Sequence, residues 1–351
     1  MTKILYIKYL ENGSKKLKKT ASVFIPHYGC RYDCVFCNQV KISGMDKKFD
    51  YERARQDILR DIGSMDEGVT PEIAFFGGSF TAIDEEVQEN CLSMANEIRD
   101  LFGGNLLIKM STRPDAIDKN VIDRLKRYKV DTVELGVQSM DDEVLLAANR
   151  GHNSQDVYAA SYMIKEAGIE LGHQIMVGLP KDTEQKLHDT VEKVLEIRPN
   201  IARIYPVLVI KDTQLENMCK SNKYKALSVA EAVRLSAYVY KKFTDSGINI
   251  IRTGLQATDN INIDKDVVAG PFHSAFGELV INYLLRQEIE RVLIGEDFIK
   301  KKLVIRSPKS YISKIIGNKK SNVKYFKEKY DAKLIVLEDN NNDYINVECI
   351  S

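Results

Sequence analysis

Cys30, Cys34 and Cys37 stand within eight residues of one another in IPHYGCRYDCVFCNQ, at the spacing C-x3-C-x2-C. Thiolates grouped this tightly suit a metal, because iron–sulfur clusters are held by cysteine sulfur, usually four of them. Three leave the fourth iron open to a ligand from outside the protein. A structural zinc ion is the other reading, with His27 as its fourth ligand. Cys91, Cys219 and Cys349 are isolated in sequence and read as plain thiols. Six cysteines, half of them clustered, are too few for a disulfide framework in 351 residues, and in a reducing compartment such clustering favours metal binding or catalysis.

More polar clusters follow. FFGGSFT puts Gly77 and Gly78 where backbone can approach a ligand that side chains would block, with Ser79 next to them, although a lone Gly-Gly pair fits any tight turn. STRPD carries Thr112, ELGVQS and NRGH carry Gln138 and Arg150, GHQIMVGLPKDT carries His173, and RIYPVLV carries Arg203 and Tyr205. Each has a structural reading as well: Gln138 tying strand to loop, Tyr205 packing before Pro206.

The elements that must position these residues are short apolar runs of strand character at 21–26, 72–77, 105–111, 131–137, 169–177 and 202–209. Stretches of helical spacing separate them, at 51–62, 85–101, 116–128, 154–167 and 184–197. Strand followed by helix, repeated, predicts a parallel sheet covered by helices. Six units fall short of a closed barrel of eight, and the polar clusters lie at the carboxyl ends of strands, where β/α barrels carry their active sites. A helical stretch at 228–243, a turn-rich one and a further helix at 276–290 follow.

Apolar residues make up 44% and charged residues 29%, the mixture of a soluble globular protein, and a net charge of +1 gives no overall bias toward nucleic acid or membrane. MTKILYIKYLENGSKK has no apolar signal core, and no 18 apolar residues run together, so a cytoplasmic protein with no membrane contact is expected. Composition changes after Gly295. Between Lys300 and Lys333, eleven lysines and one arginine face only Glu328 and Asp331, a local charge of +10.

The cysteine spacing, with Phe36 just before the third cysteine, resembles that of the radical SAM superfamily. The resemblance implies a 4Fe-4S cluster whose open iron chelates the amino and carboxylate groups of S-adenosylmethionine (SAM). An electron from the cluster, supplied by a donor such as flavodoxin or ferredoxin, then breaks the sulfonium bond to give a 5'-deoxyadenosyl radical. Phe36, Gly77, Gly78 and Ser79 become cofactor contacts by this resemblance, although Ser79 replaces the glutamate usual after the glycines. TRPD, ELGVQS with NRGH, MVGLP, RIYPVLV and GPFHSAFGEL together resemble the radical SAM half of the catalytic subunit of Elongator over about residues 20–290. A weaker likeness to coproporphyrinogen dehydrogenase accompanies it. Gln138 and Arg150 are then SAM contacts, Arg150 by a bidentate pair with the methionine carboxylate. Thr112 and His173 are further candidates, and Arg203 and Tyr205 would face the substrate. The chain has no room for the acetyltransferase domain of the Elongator subunit, so the chemistry at wobble uridine is not carried over whole.

The order after Gly295 resembles a KH domain: KKLVIRS as strand, KSYISKII as helix, Gly317-Asn318-Lys319-Lys320 as loop, SNVKYFKEKY as helix, then AKLIVLE and YINVECI as strands. A KH domain clamps about four nucleotides with a GXXG loop, and Lys320 departs from its second glycine. The local charge is the footprint expected of phosphate contacts.

The expected fold is α/β: a partial (β/α)6 radical SAM barrel with a helical extension and a small α+β KH-like carboxyl-terminal domain. Its parts are a basic lead-in at 1–19, the barrel at 20–212, its extension at 213–295 and the KH-like domain at 296–351. The expected function is radical modification of RNA (tRNA or rRNA), which residues 300–350 would bind. Action on a small molecule such as a tetrapyrrole, and a non-catalytic iron–sulfur redox sensor that binds RNA, are the rivals.

Overall fold

A computed structural model of the protein describes residues 2–5, 18–25, 32–38, 49–255, 265–295, 298–340 and 344–350. Cys30 and His27 lie outside the described residues.

The opening strand β1 is Thr2–Leu5. Strands β2 (Lys18–Ile25), β3 (Thr70–Gly77), β4 (Leu107–Thr112), β5 (Thr132–Gln138), β6 (Glu170–Val177) and β7 (Ile201–Pro206) then alternate with helices. Those helices are α1 (Tyr51–Gly63), α2 (Glu85–Leu101), α3 (Lys119–Arg127), α4 (Asp142–Ala147), α5 (Ser154–Glu166) and α6 (Glu184–Ile197). Each helix begins where a side chain accepts a bond from its first free N–H groups: Asp50, Asp84, Asp118, Asp141, Asn153 or Thr183.

A short pair, β8 (Val209–Ile210) with β10 (Val267–Ala269), flanks α7 (Gln214–Lys220), α8 (Val229–Asp245) and β9 (Asn249–Thr253). The sheet runs β2-β3-β4-β5-β6-β7-β9 with every neighbour parallel, an open partial barrel. Its seventh strand adds one to the six expected. NIIRT is short, and its pairing with β7 carries a register shift, so it gives little alternation to read.

Alternation decides which side chains reach the interior. Val133, Leu135 and Val137 of β5, with Leu171 and Ile175 of β6, are fully buried toward the helices. Glu72, Lys109, Glu134, Gln174, Arg203 and Tyr205 occupy the opposite phase of their strands and turn inward.

Helix α9 (Phe276–Val292) leads into β11 (Lys302–Ser307), α10 (Lys309–Ile316), α11 (Ser321–Tyr330), β12 (Lys333–Glu338) and β13 (Ile345–Ile350). This is the strand-helix-helix-strand-strand order read from the sequence. The sheet runs β1-β13-β11-β12, with β11 parallel to β12 and antiparallel to β13. Its edge strand is the surprise. Instead of merely leading in, Thr2–Leu5 pair antiparallel with Ile345–Glu348.

The module is tied to α9 by a chain of amides. Asn322, almost fully buried, donates to the carbonyls of Asn282 and Ile315, and the Asn282 side chain accepts from the N–H of Asn318 and donates to Lys314. On the next turns of α9, Glu290 accepts from the hydroxyls of Tyr325 and Tyr330 and from Lys329. Among the described residues no helix is long and apolar enough to cross a membrane.

Candidate active site

A cavity of about 600 Å³ opens at the carboxyl ends of β2 to β6. Cys34, Phe36 and Cys37 form one wall, Gly77, Gly78 and Thr112 another, and Gln138 and Arg150 a third. Eight of the residues singled out in the sequence therefore meet around one space.

The cysteine loop is held by backbone bonds. Cys37 N–H donates to Cys34 O at 2.9 Å, closing a tight turn that carries both thiols. Val35 N–H donates to Ala148 O (3.1 Å), Val35 O accepts from Leu215 N–H (2.7 Å), and Asn149 Nδ2 donates to Asp33 O (2.7 Å). Val35 packs among Val144, Val209 and Leu215. The turn is thus fixed between the end of α4 and the start of α7.

Gln138 has φ +67°, at a register shift between β5 and β6 that re-aims its side chain into the cavity. Its Oε1, Arg150 Nε and Arg113 Nη1 are buried without a partner. Buried polar atoms are normally bonded, so these suit a polar ligand that the protein alone does not supply. Gly136 leaves room for them, because a Cβ there would come within 3.0 Å of Gln138 Nε2 and 3.3 Å of Arg150 Nη2. Arg113, Ser111 and Gln174 line the same cavity and were missed from sequence, although Arg113 stands in the TRPD cluster.

Gly77 is fixed for a different reason. Its φ is +131°, and a Cβ would sit 2.2 Å from the carbonyl oxygen of Ile25, where β2 and β3 end side by side. Gly77→Ala is expected to destabilise the protein by roughly 1–3 kcal/mol through backbone strain. A lowered urea midpoint checks it, with Gly63→Ala as the control, since nothing lies within 4 Å of a Cβ at Gly63.

Other expected contacts are placed elsewhere. Ser79 is buried, bonded to Thr112 Oγ1 (2.8 Å) and accepting from Arg113 N–H (3.1 Å), while Thr112 Oγ1 also bonds Thr81 Oγ1 (2.6 Å). These hydroxyls lock the β3 and β4 ends to each other. His173 shares its strand phase with Leu171 and Ile175, so it faces α5 and bonds Ser161 Oγ at 2.9 Å. Burial, with Lys165 as a lesser cause, pushes its imidazole pKa down to about 3, so His173 is a neutral packing residue away from the cavity.

Arg203 and Tyr205 stand inside the barrel but do not line the cavity. Arg203 donates to Glu134 through Nε (2.5 Å) and Nη2 (3.1 Å) and to Tyr205 Oη (3.3 Å). Lys109 pairs with Glu134 as well, and Glu134 accepts from Gln174 Nε2 at 3.2 Å. Gly172 makes space for this carboxylate, since a Cβ there would meet Glu134 Cγ at 2.8 Å. The network reaches the cavity through Gln174 and Ser111, which share a 3.4 Å bond, and through Phe76, over whose ring Arg203 lies at 5.8 Å.

The loop at Gly317–Lys320 is divided. Gly317 is buried, with φ +82° and no room for a Cβ beside Ser321 and Asn322, and Asn318 N–H is committed to Asn282. Lys319 and Lys320 are exposed, both in the left-handed region.

Comparison with known proteins agrees with this geometry. The family model Radical SAM superfamily matches residues 24–194, and that of the Radical_SAM C-terminal domain matches 199–286. A tRNA uridine(34) acetyltransferase of Methanocaldococcus infernus is 27% identical over 251 residues, 66% of this chain and 46% of that protein. Elongator complex protein 3 of Saccharomyces cerevisiae is 27% identical over 212 residues, 54% of this chain and 37% of that one. The chain thus spans less than half the length of these relatives. In fold it is similar to the Elp3 structure of Methanocaldococcus infernus, with a TM-score of 0.59 and 23% identity over 77% of this chain and 63% of that one.

Proposed function

This chain belongs to the radical SAM superfamily, with a 4Fe-4S cluster and SAM as its cofactors, and from that premise we propose that it cleaves SAM reductively in the cavity described and modifies RNA, tRNA first among candidates. The observation that carries the first half is the meeting of the Cys34–Cys37 turn with Gln138, Arg113 and Arg150, whose buried polar atoms await a partner. Cys30, Cys34 and Cys37 would hold the cluster. Gln138 would position the cofactor by its amide, and the open backbone at Gly77 and Gly78 would admit it. The bound cofactors supply the electron and the radical; the chain's own part is to orient the substrate and keep water out. Dithionite-reduced protein should release 5'-deoxyadenosine from SAM, and a cluster-loaded protein that binds no SAM would overturn the reading in favour of a redox sensor.

The RNA half draws on the printed names of the relatives and on the lysines of the carboxyl-terminal module. Lys319, Lys320 and Lys324 are exposed on its helix-and-loop face, and they, with the loop Gly317–Lys320 as a whole, are the proposed contact in a cytoplasmic enzyme. Deleting the module would strip β1 of its partner β13, so charge reversal is the cleaner experiment. Lys319→Glu with Lys320→Glu should leave SAM cleavage intact, weaken RNA binding and flatten its salt dependence by about 0.7 in log-log slope for each phosphate no longer neutralised. Unchanged RNA affinity and slope in filter binding would move the small-molecule reading ahead.

A further inference from the structure

Arg150 is 6% exposed, and among the described residues no carboxylate pairs with it. Its Nη1 donates to Cys34 Sγ at 3.1 Å, and its Nη2 donates to Gly136 O at 2.7 Å. Its own carbonyl accepts from Arg113 Nη2, which is in turn held by Asp115. The guanidinium is therefore aimed at the thiol by strand and loop, with Gly136 giving it room. A buried cation without an anion is costly. An iron–sulfur cluster on Cys34 provides that anion: three thiolates around a 4Fe-4S core of charge +2 total −1, and one added electron makes it −2.

A fixed positive charge and an N–H···S bond stabilise the more negative state more, and both are known levers on cluster potential. We propose that Arg150 raises the reduction potential of the cluster bound at Cys34, easing its one-electron reduction by a flavodoxin- or ferredoxin-class donor, which is itself oxidised by one electron. This role is separate from holding the SAM carboxylate, because it acts through the bond to Cys34, which the anchors at Gly136 and Arg113 fix. The inference rests on Cys34 being a cluster ligand, and cluster content tests that point independently.

The test is an EPR-monitored redox titration of reconstituted full-length parent, Arg150→Lys, Arg150→Met and Gly136→Ala, all without SAM. Iron and sulfide content should match in all four, since Arg150 is no ligand. Arg150→Met should be harder to reduce, with a reduced-to-oxidised ratio at fixed poise lower by on the order of tenfold, or about 59 mV for one electron. Arg150→Lys should fall between Met and parent. Gly136→Ala, which crowds the guanidinium while keeping it, should shift in the same direction by less. A midpoint in Arg150→Met equal to the parent's, with the cluster intact, overturns the proposal, and a loss of SAM affinity alongside it would assign Arg150 to SAM binding alone. Failure of both Arg150 variants to take up a cluster overturns it as well, by making the arginine a requirement for assembly. Failure of the parent to take up a cluster would instead sink the reading of the cysteines.

Discussion

Cys34→Ala and Cys37→Ala are each expected to give folded protein that holds no cluster and releases no 5'-deoxyadenosine, a fall to background, whereas the parent should bind about four iron and four sulfide per chain. The expectation separates chemistry from folding because the loop is held by backbone bonds of Val35 and Cys37 and by the amide of Asn149, none of which uses a sulfur atom. Stability should change little in Cys37→Ala, whose side chain is partly buried, on the order of 1 kcal/mol, and somewhat more in Cys34→Ala, because the buried Cys34 sulfur accepts from Arg150 Nη1. Ultraviolet–visible absorption, iron and sulfide analysis and a thermal melt make the test. Stoichiometric zinc with no visible absorption in the parent would revive the structural zinc site.

The largest stability loss is expected at Glu134. It is 1% exposed and holds Lys109 and Arg203, themselves nearly buried, together with Gln174. Glu134→Ala takes the carboxylate from Arg203 and leaves Lys109 only the longer pair with Glu72 at 3.9 Å among the described residues, which costs roughly 3–5 kcal/mol. Urea denaturation should show it as a lower midpoint. The same carboxylate gives a pH signature. Burial alone would raise its pKa, but attraction to Arg203 and Lys109 outweighs burial and holds the group below the ordinary glutamate value of 4.5. With the folded pKa depressed, its stabilisation is complete above about pH 4.5 and is lost as pH falls through the folded value. Glu134→Gln should therefore remove part of the acid-induced destabilisation seen in the parent. An unchanged acid limb in that variant would show that Glu134 does not control it.

Much of this was legible in the sequence. The strand ends were readable because apolar runs give way to polar clusters, and the cavity gathers those clusters: Cys34, Phe36 and Cys37, Gly77 and Gly78, Gln138 and Arg150. Phase along a strand would have settled more. Glu134 stands between Val133 and Leu135, so alternation in DTVELGV already implied an inward glutamate. The same count turns His173 outward with Leu171 and Ile175. Other features were hidden because they depend on distant partners. Nothing local in STRPD shows that Thr112 will spend its hydroxyl on Ser79 and Thr81. Nothing local in SYISKIIGNKK shows that Asn318 will be claimed by Asn282 on α9. Thr2–Leu5 could not be read as a strand of the last domain, because what makes them one is Ile345–Glu348.

That pairing sets an order of events during synthesis. Domains generally fold as the chain leaves the ribosome, amino-terminal parts first. The barrel strands can assemble in sequence, each next to the one before it. Thr2–Leu5 cannot, because their partner is translated after every strand of the barrel. A strand made before the barrel is thus placed only after it, and until then its backbone donors and acceptors remain open to a chaperone or to the edge of a neighbouring nascent chain.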